Sequence, residues 1–262
     1  PRSSSPSRTA PRYPAMKTEG TSEADARSKI WLVDSKGLIT KDRPEGGISG
    51  HKAKFAHSRS PIKTLGEAVS TLKPNILIGA AAVAGAFTPE IIQTMGANNK
   101  RPIIFALSNP TSKAECTAEQ AYIHTNGTAV FASGSPFDPV TYKGQTFVPG
   151  QGNNSYIFPG VALGVICAGI RHISEEVFLI ASSMLAKMVS EEDLGKGSLY
   201  PPLHTIQNIS TRIATSVAEY AYEKGMASTY PKPKDIEAFI KSQLYDTSYR
   251  PSLPNTYTWP KQ

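Results

Sequence analysis

The chain has 262 residues, a formal net charge of +7, 39% apolar and 19% charged residues, and two cysteines. That length carries one large domain, or one domain with an appendage, and the composition is that of a globular protein with a core. No apolar run reaches the roughly 18 residues a membrane helix needs, and two cysteines make neither a disulfide framework nor a zinc site, so they fit a reducing compartment.

Residues 1–15 are rich in Ser, Arg and Pro and are expected as a disordered tail that is not native to the fold. Three arginines of the basic excess fall there. No basic helix face with interleaved aromatics follows, so nucleic acid is not expected as a partner. Residues 16–30 read as the end of a helix, and residues 30–34 as an apolar strand closed by Asp34. Helical spacing covers residues 65–72. A strand at 75–78 runs into the small turn Gly79, Ala80, Ala81, Ala82. Thr88-Pro89-Glu90 predicts a helix start, with Thr as N-cap, Pro in the first helical position and an acid at the positive end. Residues 102–107 form a strand, 117–124 a helix and 129–132 another strand. Strand–helix units of this size predict a parallel sheet wrapped by helices.

The pattern then changes. Residues 140–148 predict a hairpin around Lys143-Gly144, and residues 149–154 a polar loop. Residues 161–170 are expected as a buried helix with Cys167 in the core. Helices follow at 174–189, 204–223 and 235–244. Residues 245–262 hold four Tyr or Trp and three Pro, and are expected as an aromatic arm on a neighbouring surface.

Open parallel sheets bind ligands at the carboxyl ends of their strands. That rule selects Asp34, the Gly79 to Ala82 turn, Asn109 and the Ser133–Pro136 turn. Asp34 reads either as an acceptor for adenosine ribose hydroxyls or as an exposed turn residue. The Gly79 turn reads as close approach of a flat ligand or as tight helix–sheet packing. Asn109, Asn153 and Asn154 are neutral amides without titratable neighbours in sequence. They suit ligand positioning rather than proton transfer, or else serve as turn residues. None of the five histidines has a carboxylate partner in sequence, and no acidic pair follows a strand to hold a hard metal. No G-x-G-x-x-G precedes Asp34.

Several longer stretches resemble the malic enzymes: IWLVDSKGL at 30–38, RPIIFALSNPT at 101–111, FASGSPF at 131–137, FVPGQGNNSYIFPG at 147–160, LYPP at 199–202 and YTWP at 257–260. The resemblance runs from about Met16 to the end. It implies an α/β, Rossmann-like parallel sheet lacking its first strand and phosphate loop, followed by C-terminal helices. The divisions are an incomplete NAD(P)-binding domain over 16–160, helices over 161–244 and the arm over 245–262. The family oxidatively decarboxylates (S)-malate to pyruvate and CO2 with reduction of NAD(P), using Mg or Mn in the full-length enzyme. By resemblance, Asn109 and Asn153 hold malate. Asp34, Ser35, Lys52, Gly79, Ala80, Ala81, Asn109 and Asn154 line the dinucleotide site. Ser35 and Lys52 look like the NADP-using members, where a Lys meets the 2′-phosphate and a small Ser leaves room for it. The loop after Asp34 carries an insertion, so Lys54 is the fallback for Lys52. NADP is therefore the expected cofactor and NAD the alternative.

The family's catalytic Tyr and Lys, its Arg for malate and its metal ligands fall before Met16, so the isolated chain is expected to be inactive. The competing expectation is a truncated, non-catalytic isoform that binds nucleotide weakly or joins intact subunits. The full-length protein is expected as a cytoplasmic, or alternatively mitochondrial, homo-oligomer, a dimer or tetramer.

Overall fold

A computed structural model describes residues 20–245. The expected tail and nearly all of the aromatic arm lie outside the described residues. The first element is a short helix, α1 (Glu23–Ser28), capped by the Ser22 side chain, which accepts from Asp25 N. Residues 30–34 do not join the main sheet as expected. Only Val33–Asp34 (β1) is extended, and it pairs antiparallel with Gly37–Leu38 (β2). The physical reason is the turn between them: Asp34 accepts from Lys36 N at 2.9 Å, and Gly37 takes a φ of 102° that folds the chain back.

The main sheet is parallel and four-stranded. Its strands are β3 (Ile76–Gly79), β4 (Ile103–Ala106), β5 (Val130–Ser133) and, after an antiparallel hairpin, β8 (Gly150–Gln151), in the order β3-β4-β5-β8. The register sets Gly79 beside Ala106, Ala106 beside Ser133, and Ser133 beside Gln151, so the carboxyl ends line up along one edge. Helices α2 (Leu65–Leu72), α3 (Pro89–Asn98) and α4 (Ala118–His124) fill the crossovers. The Thr64/Glu67 and Thr117/Gln120 pairs form capping boxes that satisfy the first N–H groups of α2 and α4. The hairpin, β6 (Val140–Tyr142) and β7 (Gln145–Phe147), turns through Lys143 and Gly144, both at positive φ, as a two-residue hairpin loop requires.

Helices follow: α5 (Phe158–Ala168), α6 (Glu175–Lys187), α7 (Glu191–Gly195), α8 (Ile206–Glu223) and α9 (Ile236–Ser242). Buried side chains gather in two cores. One lies between the sheet and its helices and includes Ile104, Phe131, Tyr122 and Phe147, with the last two rings stacked at 4.4 Å. The other lies among the C-terminal helices and includes Cys167, Ile209, Ile213 and Val217. Each large apolar side chain fully buried in this way stabilises the fold by about 1.5–3 kcal/mol. Helices α5 and α8 meet at their backbones: a Cβ on Gly164 would stand 2.8 Å from the Ala214 carbonyl oxygen. Residues 152–157 join the two cores.

Candidate functional site

The edge of the sheet formed by the carboxyl strand ends carries most of the selected residues. At β3, Gly79 is buried, and a Cβ there would overlap the Glu115 side chain. Its smallness therefore serves packing. Ala80, Ala81 and Ala82, by contrast, are exposed, so that part of the turn offers a low surface to a ligand. Glu115, buried to 1% exposure, accepts hydrogen bonds from the Ser108 hydroxyl and from Ser108 N. The Ser108 Oγ in turn accepts from Ala82 N at 2.9 Å. The ends of β3 and β4 are thus tied together by a carboxylate that sequence reading did not single out. Nothing in its local sequence marks it, because its partners come from two other strand ends.

Asn109 and Asn153 are oriented in the same way. Asn109 Oδ1 accepts from Ser135 Oγ at 2.6 Å, and Asn153 Oδ1 accepts from Ser155 N at 2.9 Å, capping the short turn at Asn154–Tyr156. Each amide oxygen is satisfied locally, and neither NH2 group has a partner among the described residues. The turn after β5 links the two: Gly152 N donates to Ser133 O at 2.7 Å, and Ser133 Oγ donates to Ser135 O at 2.7 Å. Two unpartnered NH2 donors suit a carboxylate or a carboxamide oxygen. Asn154 is exposed beside them.

Asp34 lies on the antiparallel turn, held by two bases. Arg43 Nη1 reaches Oδ1 at 2.7 Å and Nη2 reaches Oδ2 at 3.0 Å, while Lys52 Nζ stands 2.6 Å from Oδ2. The Arg43 side chain is only 1% exposed, against 41% for Lys52. The guanidinium, and then Lys52 and the Lys36 amide, hold the Asp34 carboxyl well below the usual carboxylate range despite burial. Ser35 is exposed next to it. Of the two lysines considered, the structure brings Lys52 to Asp34 and leaves Lys54 exposed. Arg43 was missed in sequence. Its only signal is an Arg nine residues past the acid, which has no meaning until the turn is folded.

Of the five histidines, His57 is held by two neighbours. His57 stacks on Trp31 at 3.8 Å, with Nε2 2.8 Å from Ile30 O. A cavity of about 230 Å3 beneath β8 is lined by Gln151, Tyr156, Lys196 and Tyr200 among others, but by neither Asn109 nor Asn153. Its Tyr156 hydroxyl donates to Pro201 O at 2.7 Å. Burial pushes the Tyr200 phenol up. Among the described residues no three His, Cys, Asp or Glu side chains gather as a metal site, and no helix is long and apolar enough to cross a membrane.

Comparison with known proteins agrees with the fold. Residues 12–222 match the family model described as malic enzyme, NAD binding domain. The chain is 58% identical to the NADP-dependent malic enzyme of Anas platyrhynchos, over 95% of its own length and 44% of that protein's. It is 53% identical to the mitochondrial NADP-dependent malic enzyme of Homo sapiens, over 95% of its own length and 41% of that protein's. A mitochondrial form among these relatives is compatible with the compartments expected from sequence. Two solved structures share the fold. The malic enzyme of Entamoeba histolytica has a TM-score of 0.66 and 23% identity, covering 87% of this chain and 43% of that one. That of Pyrococcus horikoshii has a TM-score of 0.61 and 21% identity, covering 89% and 56%. The chain thus spans less than half the length of the curated relatives named here. By its motifs, its parallel sheet and these likenesses, it belongs to the malic enzyme family through the NAD-binding domain.

Proposed function

We propose that the chain is the dinucleotide-binding and malate-positioning part of an NADP-dependent malic enzyme, which converts (S)-malate to pyruvate and CO2. The observation that carries this reading is the alignment of Ala80–Ala82, Asn109 and the Asn153-Asn154 loop at one sheet edge. It occurs in a chain 58% identical to a relative named for NADP. Asn109 and Asn153 hold malate by donating from their unpartnered NH2 groups, which fixes the substrate without moving a proton. Asn109 and Asn154 border the nicotinamide end, Gly79 to Ala81 pass under the dinucleotide, and Asp34, Ser35 and Lys52 bound its adenosine ribose. The residues fit NADP: Lys52 is part-exposed, and the neighbouring acid is already neutralised by bases. When bound, NADP supplies the hydride acceptor for the malate hydroxyl carbon.

The described residues do not fit a Mg or Mn centre, so the metal of the family is assigned to no residue here. The acid–base pair is placed by resemblance before Met16. The whole enzyme is read as a homo-oligomer.

Two measurements test this reading. Titration of the chain with NADPH, followed by nucleotide fluorescence, should give saturable binding that adenosine 2′,5′-bisphosphate reverses; no binding would refute the dinucleotide role. The 262-residue chain supplied with malate, NADP and Mn should form no NADPH above a blank. Clear turnover would mean that this chain's own residues carry the proton transfers.

A further inference from the structure

Glu115 carries a carboxyl group buried to 1% exposure at the carboxyl edge of the sheet. Among the described residues its side chain bonds only to Ser108: Oε1 accepts from the hydroxyl, and Oε2 accepts from the amide at 3.4 Å. A serine hydroxyl has one proton to donate. Giving it to Glu115 makes Ser108 Oγ an acceptor, and Ala82 N donates to it at 2.9 Å. The direction of this chain, from the Ala82 amide through the Ser108 hydroxyl to the carboxylate, is therefore set at Glu115. Ala82 takes a φ of 56°, a left-handed conformation that an alanine keeps only when it is held. The same carboxylate closes the loop 108–115, which carries Asn109. Gly85 N donates to Ala114 O at 3.1 Å and Phe87 N to Glu115 O at 3.0 Å, which ties the segment after Ala82 to the end of that loop. Ala82 follows β3 and Asn109 follows β4, the neighbouring strand, whereas Asp34 lies outside this sheet.

We propose that Glu115 is a positioning residue for the dinucleotide. Acting through Ser108, it sets the Ala80–Ala82 turn against Asn109 and so shapes the site for the part of the ligand beyond its adenosine. This rests on the reading of the strand ends as the dinucleotide site. An amide has one oxygen where the carboxylate offers two, so Glu115→Gln sets an NH2 group against one of the two Ser108 donors. Ser108→Ala removes the acceptor of Ala82 N. Either change frees the turn, which the ligand must then order as it binds, at a cost in affinity. Neither change touches Asp34 or its bases.

The test titrates the 262-residue chain with NADPH and with adenosine 2′,5′-bisphosphate by calorimetry. Unmodified chain, Glu115→Gln, Ser108→Ala and the double variant are compared, and circular dichroism checks that each folds. In each single variant NADPH affinity should fall by about tenfold, the equivalent of about one hydrogen bond. Affinity for the bisphosphate, which ends before the turn, should hold within about twofold. The double variant should bind NADPH no more weakly than the weaker single variant, because both changes break one chain of bonds. Equal weakening of the two ligands would show general structural damage and overturn the proposal. Unchanged NADPH affinity would overturn it too, as would losses that multiply to about a hundredfold in the double variant. If one single variant does not fold, the other decides. If neither folds, hydrogen exchange at the Ala82 amide of the unmodified chain decides: slowing by NADPH but not by the bisphosphate supports the proposal, and no such difference overturns it. Failure of the unmodified chain to bind NADPH or the bisphosphate would instead refute the dinucleotide reading, and this inference with it.

Discussion

The hydroxyl of Ser135 donates to the amide oxygen of Asn109 at 2.6 Å, from a turn on the neighbouring strand. In this arrangement the Asn109 amide oxygen is occupied, and its NH2 group has no partner among the described residues. Replacing Asn109 by Asp removes that donor and sets a negative charge against a dicarboxylate. The loss is about 1.5–3 kcal/mol of malate binding, that of a hydrogen bond to a charged group. The measurement is the upshift in melting temperature that malate adds in the presence of NADP and Mn. It should vanish in Asn109→Asp while the shift from NADP alone persists. An unchanged malate shift would remove Asn109 from the malate site.

The ion pairs of Asp34 give stability a definite pH dependence. Its folded carboxyl lies below the ordinary value of 3.8, so the folded state holds fewer protons there than the unfolded chain. The contribution is complete above the unfolded value and is lost as pH falls below it towards the folded one. Asp34→Asn leaves the buried Arg43 guanidinium without its counterion and should cost about 3 kcal/mol at neutral pH. Denaturant melts across the acid range should show the two proteins converging as pH falls. A constant gap would mean that the pair contributes nothing through titration.

Gly79→Ala should destabilise by about 1–3 kcal/mol, because the new methyl overlaps the buried Glu115 side chain. Glu115→Ala in the same chain should relieve part of that penalty, and a double-mutant cycle of denaturant melts measures the coupling. Additive effects would show that the two do not meet.

Burial pushes the Cys116 thiol up to about 12, and burial raises the Cys167 thiol as well. Neither forms thiolate near neutral pH, so an alkylating reagent should label neither in the folded chain and both after denaturation. Mass spectrometry of the labelled chain reads this directly, and rapid native labelling would contradict the burial.

Strands, helices and the Lys143-Gly144 hairpin were legible in the sequence because each depends on local rules: periodicity, caps and positive-φ turns. The carboxyl-end rule likewise pointed to Asn109 and the Gly79 turn. Three things were not legible. Residues 30–34 read as a sheet strand, since an apolar run does not reveal that Gly37 will fold it back. The two readings of the Gly79 turn divide between its residues, glycine for packing and the alanines for access. Arg43 and Glu115 act only through partners that the fold brings to them, and no short-range pattern encodes such meetings.

Asn109 and Asn153 adjoin different cores. Asn109 stands on the strand layer around Phe131, and Asn153 caps the turn that ends in Tyr156 of the helical layer. A ligand that takes a hydrogen bond from each also couples the unfolding of the two layers, since it binds only when both are folded. If malate binds as proposed, it would tie the two layers together, and its affinity would measure how cooperatively they melt.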